Sequence, residues 1–177
     1  SEMCIRDRVT KVFKKQKKVT TALENFTAKI PCGVSCCFIG PNGSGKSTAF
    51  NLLTGLLAPG NGSVRTFGRN PRTDQKAVAK LSAIQLQSSK LFPAVTVEDM
   101  LTLWSRIYQN AKSPQSIVKS LKMESFKHRP IEKLSGGQYQ LVRVASALIA
   151  NVPLTILDEP TNNLDPEVCL LYTSPSP

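Results

Sequence analysis

Val34-Ser35-Cys36-Cys37-Phe38-Ile39-Gly40-Pro41-Asn42-Gly43-Ser44-Gly45-Lys46-Ser47-Thr48 is the stretch that decides the fold. Residues 34–39 form an apolar, β-rich run, the pattern of a strand buried on both faces of a sheet. Gly40 to Ser47 then fits G-x-x-x-x-G-K-[ST], and a helix-like stretch over 47–57 follows, carrying Phe50, Leu52, Leu53, Leu56 and Leu57. Strand, glycine-rich turn and helix together make the context in which that spacing cradles phosphates. Glycine lets the backbone turn tightly and bring its amides against phosphate oxygens. The helix N-terminus adds a positive dipole end, about 0.3–1 kcal/mol for a bound anion. Lys46 is placed to reach the β- and γ-phosphates, and the Ser47 hydroxyl to bind magnesium. Thr48 closes the candidate loop.

Outward from this loop, residues 9–13 and 19–23 read as short strands of a hairpin. Downstream, Ala58-Pro59-Gly60-Asn61-Gly62 breaks the helix, and 63–67 reads as a strand. Residues 95–127 are helix-rich, with Thr96 or Glu98 near a helix start and Pro114 at a break. Ser135 is suited to cap a further helix through Leu141, Val144, Ala145 and Leu148. Pro153 opens a second buried strand over 154–157, which ends in Asp158-Glu159. Open α/β sheets bind ligands at the C-terminal ends of their strands, where these two carboxylates fall. Asp158 suits magnesium, directly or through water, and Glu159 suits a general base that polarises the attacking water. The pattern predicts an α/β fold with a helical insertion.

Leu134-Ser135-Gly136-Gly137-Gln138, just upstream of that second strand, resembles the signature sequence of the ATP-binding cassette (ABC) family. Gln87 resembles the glutamine of the family's Q-loop, and Asn163-Leu164-Asp165 its D-loop; Phe13 is placed like the aromatic that stacks on adenine. The motifs stand in family order across nearly all of 9–168. The resemblance implies a P-loop NTPase fold: a core sheet with an antiparallel β edge, and a helical subdomain inserted at about 88–145. It implies ATP and Mg2+ as cofactors and catalytic roles for Glu159, Lys46 and Gln87, with Ser47, Gln87 and Asp158 near the metal. Phe13, residues 40–48, Gln87, Ser135, Gly136, Gly137, Gln138 and Asp165 become nucleotide contacts. Ser135 and Gly137 would act in trans, capping ATP held by a second nucleotide-binding domain in a head-to-tail dimer. The other implied partner is the transmembrane domain of a transporter, with this domain at the cytoplasmic face of the membrane. One departure stands out, Tyr139-Gln140 after the signature where the family favours basic residues; the family's switch histidine would fall past the D-loop at a position the sequence does not reach.

The stretch 91–109 resembles the transporter segment that meets the membrane domain, and 36–59 resembles subfamily A. The alternative is the F subfamily, soluble twin cassettes acting on ribosomes, since Glu159-Pro160-Thr161-Asn162-Asn163-Leu164-Asp165 is close to its D-loop text. Repair and chromosome ATPases are disfavoured, because they separate phosphate loop and signature by a long coiled coil.

Composition is compatible with this reading. The 177 residues are 41% apolar, ordinary for one globular domain. No stretch approaches the roughly 18 apolar residues of a membrane helix, and none resembles a signal peptide. The net charge of +11 would suit RNA, an anionic ligand or a membrane surface. Part of it, Lys11, Lys14, Lys15, Lys17 and Lys18, reads as a solvated hairpin loop, and under the transporter reading no nucleic acid is expected. Cys32, Cys36 and Cys37 flank or sit in the apolar run and read as buried reduced thiols, and His128 as a surface side chain. Residues 1–8 and 169–177 resemble translated sequencing adapter. Met3 to Arg8 back-translates to ATG TGT ATA AGA GAC AG and Cys169 to Ser174 to TGT CTC TTA TAC ACA TCT, reverse complements over most of their length. The expected domain is therefore a partial one over 9–168, low in stability and activity by itself.

Overall fold

The computed structural model describes residues 3–15, 18–87 and 89–161. The chain divides into two compact units, Ser1–Lys80 and Leu81–Pro177.

In the first unit, β1 (Met3–Lys15) and β2 (Lys18–Ile30) form the expected hairpin, longer than the alternation at 9–13 and 19–23 suggests. β3 (Asn61–Thr66) adds to the free side of β1, giving an antiparallel sheet in the order β2-β1-β3. Ile5, Val9, Leu23 and Val64 are buried, and Lys14 is exposed near the hairpin turn, as the solvated-loop reading expects. Between Ile5 and Val9, β1 takes four residues where β2 takes two, from Ala28 to Phe26. The extra length is absorbed by Asp7 and Arg8 at φ 62 and 56, a left-handed conformation costing about 1–2 kcal/mol for each such residue. The helix α1 (Lys46–Leu53) buries Ala49, Leu52 and Leu53. It stops earlier than 57 because Gly55 turns left-handed at φ 75, where a Cβ would lie 2.0 Å from the Pro71 carbonyl. Thr66, fully buried, donates to the Leu53 carbonyl at 2.6 Å and ties β3 to that helix end. A short helix, α2 (Gln75–Ala79), completes the unit and has no counterpart in the sequence reading.

Two expectations are overturned in this unit. Residues 34–39 form no strand: Val34 is 53% and Ile39 92% exposed. A strand exists by pairing its amides and carbonyls with a neighbour, and among the described residues no ladder reaches this segment. Phe38 alone is held, stacked on Phe50 at 5.2 Å and edge-on to Phe26 at 6.2 Å. Consequently Cys32, Cys36 and Cys37 are exposed rather than buried.

In the second unit, β4 (Ser82–Gln85) and β5 (Leu154–Leu157) pair in parallel, Ser82 opposite Leu154 and Gln85 opposite Leu157. Between them in sequence run α3 (Val97–Ile107), α4 (Pro114–Ser120), a 3-10 turn over Ile131–Lys133 and α5 (Gly136–Leu148). Each helix begins on a hydroxyl cap: Thr96 accepts from the Asp99 amide, Ser113 from Ser116, and Ser135 from Gln138. Pro114 occupies the first turn of α4, where its missing N–H costs no helical bond. The core joins Met100 and Leu101 of α3, Ile117 and Val118 of α4, and Leu141, Val142 and Ala145 of α5. Beneath α5, Ala83, Ala147 and Ala150 let the helix lie close on the strand pair. His128 is on the surface, its side chain 72% exposed and 3.2 Å from Glu98. Among the described residues no helix is long and apolar enough to cross a membrane.

Candidate nucleotide-binding site

In the first unit, residues 40–45 turn onto the N-terminus of α1. Gly45 caps it at φ 93, and a Cβ there would stand 2.3 Å from the Ala22 carbonyl oxygen, so only glycine fits against the hairpin. Gly43 is also left-handed, at φ 84. The Ser44 amide donates to the Pro41 carbonyl, and Lys46 curls over the loop, its Nζ donating to the carbonyls of Gly40 at 2.8 Å and Pro41 at 3.0 Å. The loop thus presents an ammonium and a helix start stripped of acidic side chains, a donor set suited to an anion. Asn42 and Ser47 are exposed and Thr48 half-buried. Phe13 lies on β1, 40% exposed, with the Lys11 ammonium 5.5 Å from its ring centre.

In the second unit, the parallel register does the positioning. Because Gln85 is level with Leu157, the chain leaves both strands at one edge, and Gln87 and Glu159 emerge side by side. The Gln87 Nε2 donates to Glu159 Oε2 at 2.9 Å. Asp158, one residue earlier, is 3% exposed, and its amide donates to the Gln85 carbonyl. Glu159 itself sits at φ 52, a strained backbone of the kind that gathers at working sites. Ser47, Gln87 and Asp158 each offer side-chain oxygen, the hard donor that magnesium takes, so the donor chemistry fits that ion.

The signature residues form a reciprocal cap. Ser135 Oγ accepts from the Gln138 amide at 3.3 Å, and Gln138 Oε1 accepts from the Ser135 amide at 3.1 Å. Gly136 and Gly137 form the first turn of α5, whose leading amides have no acceptor within the helix. Asp165 lies outside the described residues, as does the rest of Asn163-Leu164-Asp165.

Two further side chains, Arg143 and Gln140, bear on Gln87 and Glu159, and a third, Tyr139, holds the chain a little beyond Gln87. Arg143 donates through Nη2 to the carbonyls of Leu86 and Gln87, the latter at 2.9 Å, and through Nη1 to Gln140 Oε1 at 2.8 Å. Gln140 Nε2 donates to the carbonyls of Glu159 at 3.3 Å and Pro160 at 3.2 Å. The Tyr139 hydroxyl accepts from the Leu91 amide at 3.1 Å. The only sequence signal for this group is the departure from family pattern at Tyr139-Gln140.

A model of the ABC transporter family matches residues 23–162. The chain belongs to the ABC transporter family. Among curated ABC proteins, it is 33% identical over 169 residues to ATP-binding cassette sub-family A member 2 of Rattus norvegicus, covering 93% of this chain and 7% of that protein. It is 38% identical over 157 residues to the zinc uptake system ATP-binding protein ZurA of Listeria monocytogenes, covering 82% of this chain and 61% of the relative. Among solved ABC structures, a bacterial transporter cassette in dimeric form aligns with a TM-score of 0.80 at 29% identity, over 97% of this chain and 79% of that one. The same cassette in a dimeric post-hydrolysis state, bound to ADP and Pi, aligns at 0.79. The fold is therefore the ABC cassette of the P-loop NTPases.

Proposed function

We propose that this chain binds ATP with magnesium and hydrolyses it as the nucleotide-binding domain that powers a membrane transporter. The observation that carries the reading is the 2.9 Å bond between Gln87 and Glu159 beside buried Asp158, at the C-terminal edge of the strand pair. Glu159 takes the proton of the attacking water, and Gln87 holds its carboxylate in place. Gly43 and Gly45 open the backbone amides of 40–48 to the phosphates, Lys46 offsets their charge, and Phe13 faces the adenine. Ser47, Asp158 and Gln87 would hold magnesium, which supplies neutralisation of charge developing on the phosphates.

Hydrolysis works in pairs on this reading. Ser135, Gly136, Gly137 and Gln138 of one copy cap the ATP on the loop of the other, with Asp165 at the seam. The dimeric form of the related bacterial cassette supports this assembly. A transmembrane domain is the second partner, and the cytoplasmic face of the membrane the location. The printed names of the relatives, a zinc uptake system among them, support transport as the setting. In the intact protein, Glu159→Gln lowers turnover by about 10²–10⁴-fold and makes an ATP-bound dimer accumulate on size exclusion. Wild-type turnover by that variant would remove Glu159 from the base role.

Residues 1–8 and 169–177 are, on this reading, adapter text rather than native chain. The two-residue excess of β1 falls next to that boundary, at Asp7 and Arg8, which supports it. An alternating Met3 and Ile5 suffice to fill a strand slot whatever their origin. Sequencing the intact gene decides the point, and the same read separates flanking membrane segments from the second cassette of a ribosome-acting protein.

A further inference from the structure

The reactive pair is not self-supporting. Gln87 belongs to a stretch outside regular secondary structure that follows a four-residue strand, and Glu159 sits in a strained turn after another. Both backbones are gripped from one face of α5. Gln140 and Arg143 lie three residues apart there, so their side chains share one side of the helix. The Arg143 acceptors are two consecutive carbonyls, Leu86 and Gln87, plus the Gln140 amide oxygen. Gln140, 4% exposed, passes the grip on to the carbonyls of Glu159 and Pro160.

A solvated helix arginine would point its guanidinium outward. Arg143 is half-buried instead, with its Nε shielded from solvent and without a hydrogen-bond partner. Burying that nitrogen unmatched is unfavourable by itself. The fork's three other contacts, to Leu86, Gln87 and Gln140, offset that cost. The guanidinium spreads its donors over two nitrogens, Nη2 for both carbonyls and Nη1 for Gln140, where an ammonium is a single point of charge.

We propose that Arg143, with Gln140, is a positioning residue for ATP hydrolysis: it sets the Gln87 carbonyl and, through Gln140, the Glu159 turn, so the middle of the signature helix fixes the spacing of the water-activating pair. This rests on the roles proposed above for Gln87 and Glu159. It also gives Tyr139-Gln140 a purpose, since the basic group the family favours directly after the signature appears here one turn later, turned inward onto the loop.

The test uses the intact protein. In Arg143→Ala, kcat falls about 10–100-fold, the scale of a small misplacement of catalytic groups, while KM for ATP stays at the wild-type value. Arg143→Lys regains only part of the loss and stays folded if the alanine variant does not. Combined with Gln87→Ala, Arg143→Ala adds nothing further, because both act through one loop. Wild-type kcat in Arg143→Lys, additive losses in the double variant, or a change confined to KM or melting temperature would overturn the proposal. Glu159→Gln measured alongside separates the layers. If it is inactive while Arg143→Lys is fully active, the positioning role alone falls. If Glu159→Gln turns over normally, the reading of the site falls and takes this one with it.

Discussion

Two glycines of the phosphate loop share a left-handed backbone and differ in what surrounds them. At Gly43 an added Cβ meets nothing within 4 Å; at Gly45 it meets the Ala22 carbonyl at 2.3 Å and Leu23 Cδ2 at 2.8 Å. Gly43→Ala is therefore expected to cost only the left-handed penalty, about 1–2 kcal/mol. Gly45→Ala adds overpacking, another 1–3 kcal/mol or so. Urea unfolding of the two variants should rank them in that order, and equal losses would contradict the clash. Lys46, Glu159 and Gln87 could be proposed from the sequence because the roles assigned to them attach to short patterns or to family motifs. Arg143 was not. In sequence it is one arginine on an amphipathic helix, and only the fold shows that its side chain turns in toward Leu86 and Gln87.

Helices with caps and buried stripes were readable as elements: Ser135 and Thr96 start α5 and α3 where the hydroxyls predict. Strands were less so, because a strand is a property of a pair. Ser82-Ala83-Ile84-Gln85 carries too little pattern to announce β4, yet it forms because β5 lies beside it. Residues 34–39 carry the pattern in full and form no strand, since nothing described pairs with them. The difference is measurable with a thiol reagent. Cys36 and Cys37 are expected to label in the native chain about as fast as in denaturant, as exposed thiols do. Strong protection without denaturant would mean that the segment is a buried strand after all.

The chain covers 7% of the sub-family A relative and 61% of the zinc-uptake relative, so its energetics belong to something larger. ATP turnover by the 177-residue chain alone is expected to fall far below that of the intact protein at equal site concentration. Comparable rates would show that these residues suffice. Within the second unit, the pairing of β4 with β5 has a consequence for how such a protein can vary. The strands bring Gln87 and Glu159 together across 72 positions of sequence, and that distance is set by the ladder rather than by the length of what intervenes. Doubling a surface loop costs only about 0.6 kcal/mol in closure entropy. The turn between α3 and α4 can therefore be lengthened, trimmed or grafted to suit a new partner. As long as α5 keeps its seat, the two side chains remain 2.9 Å apart.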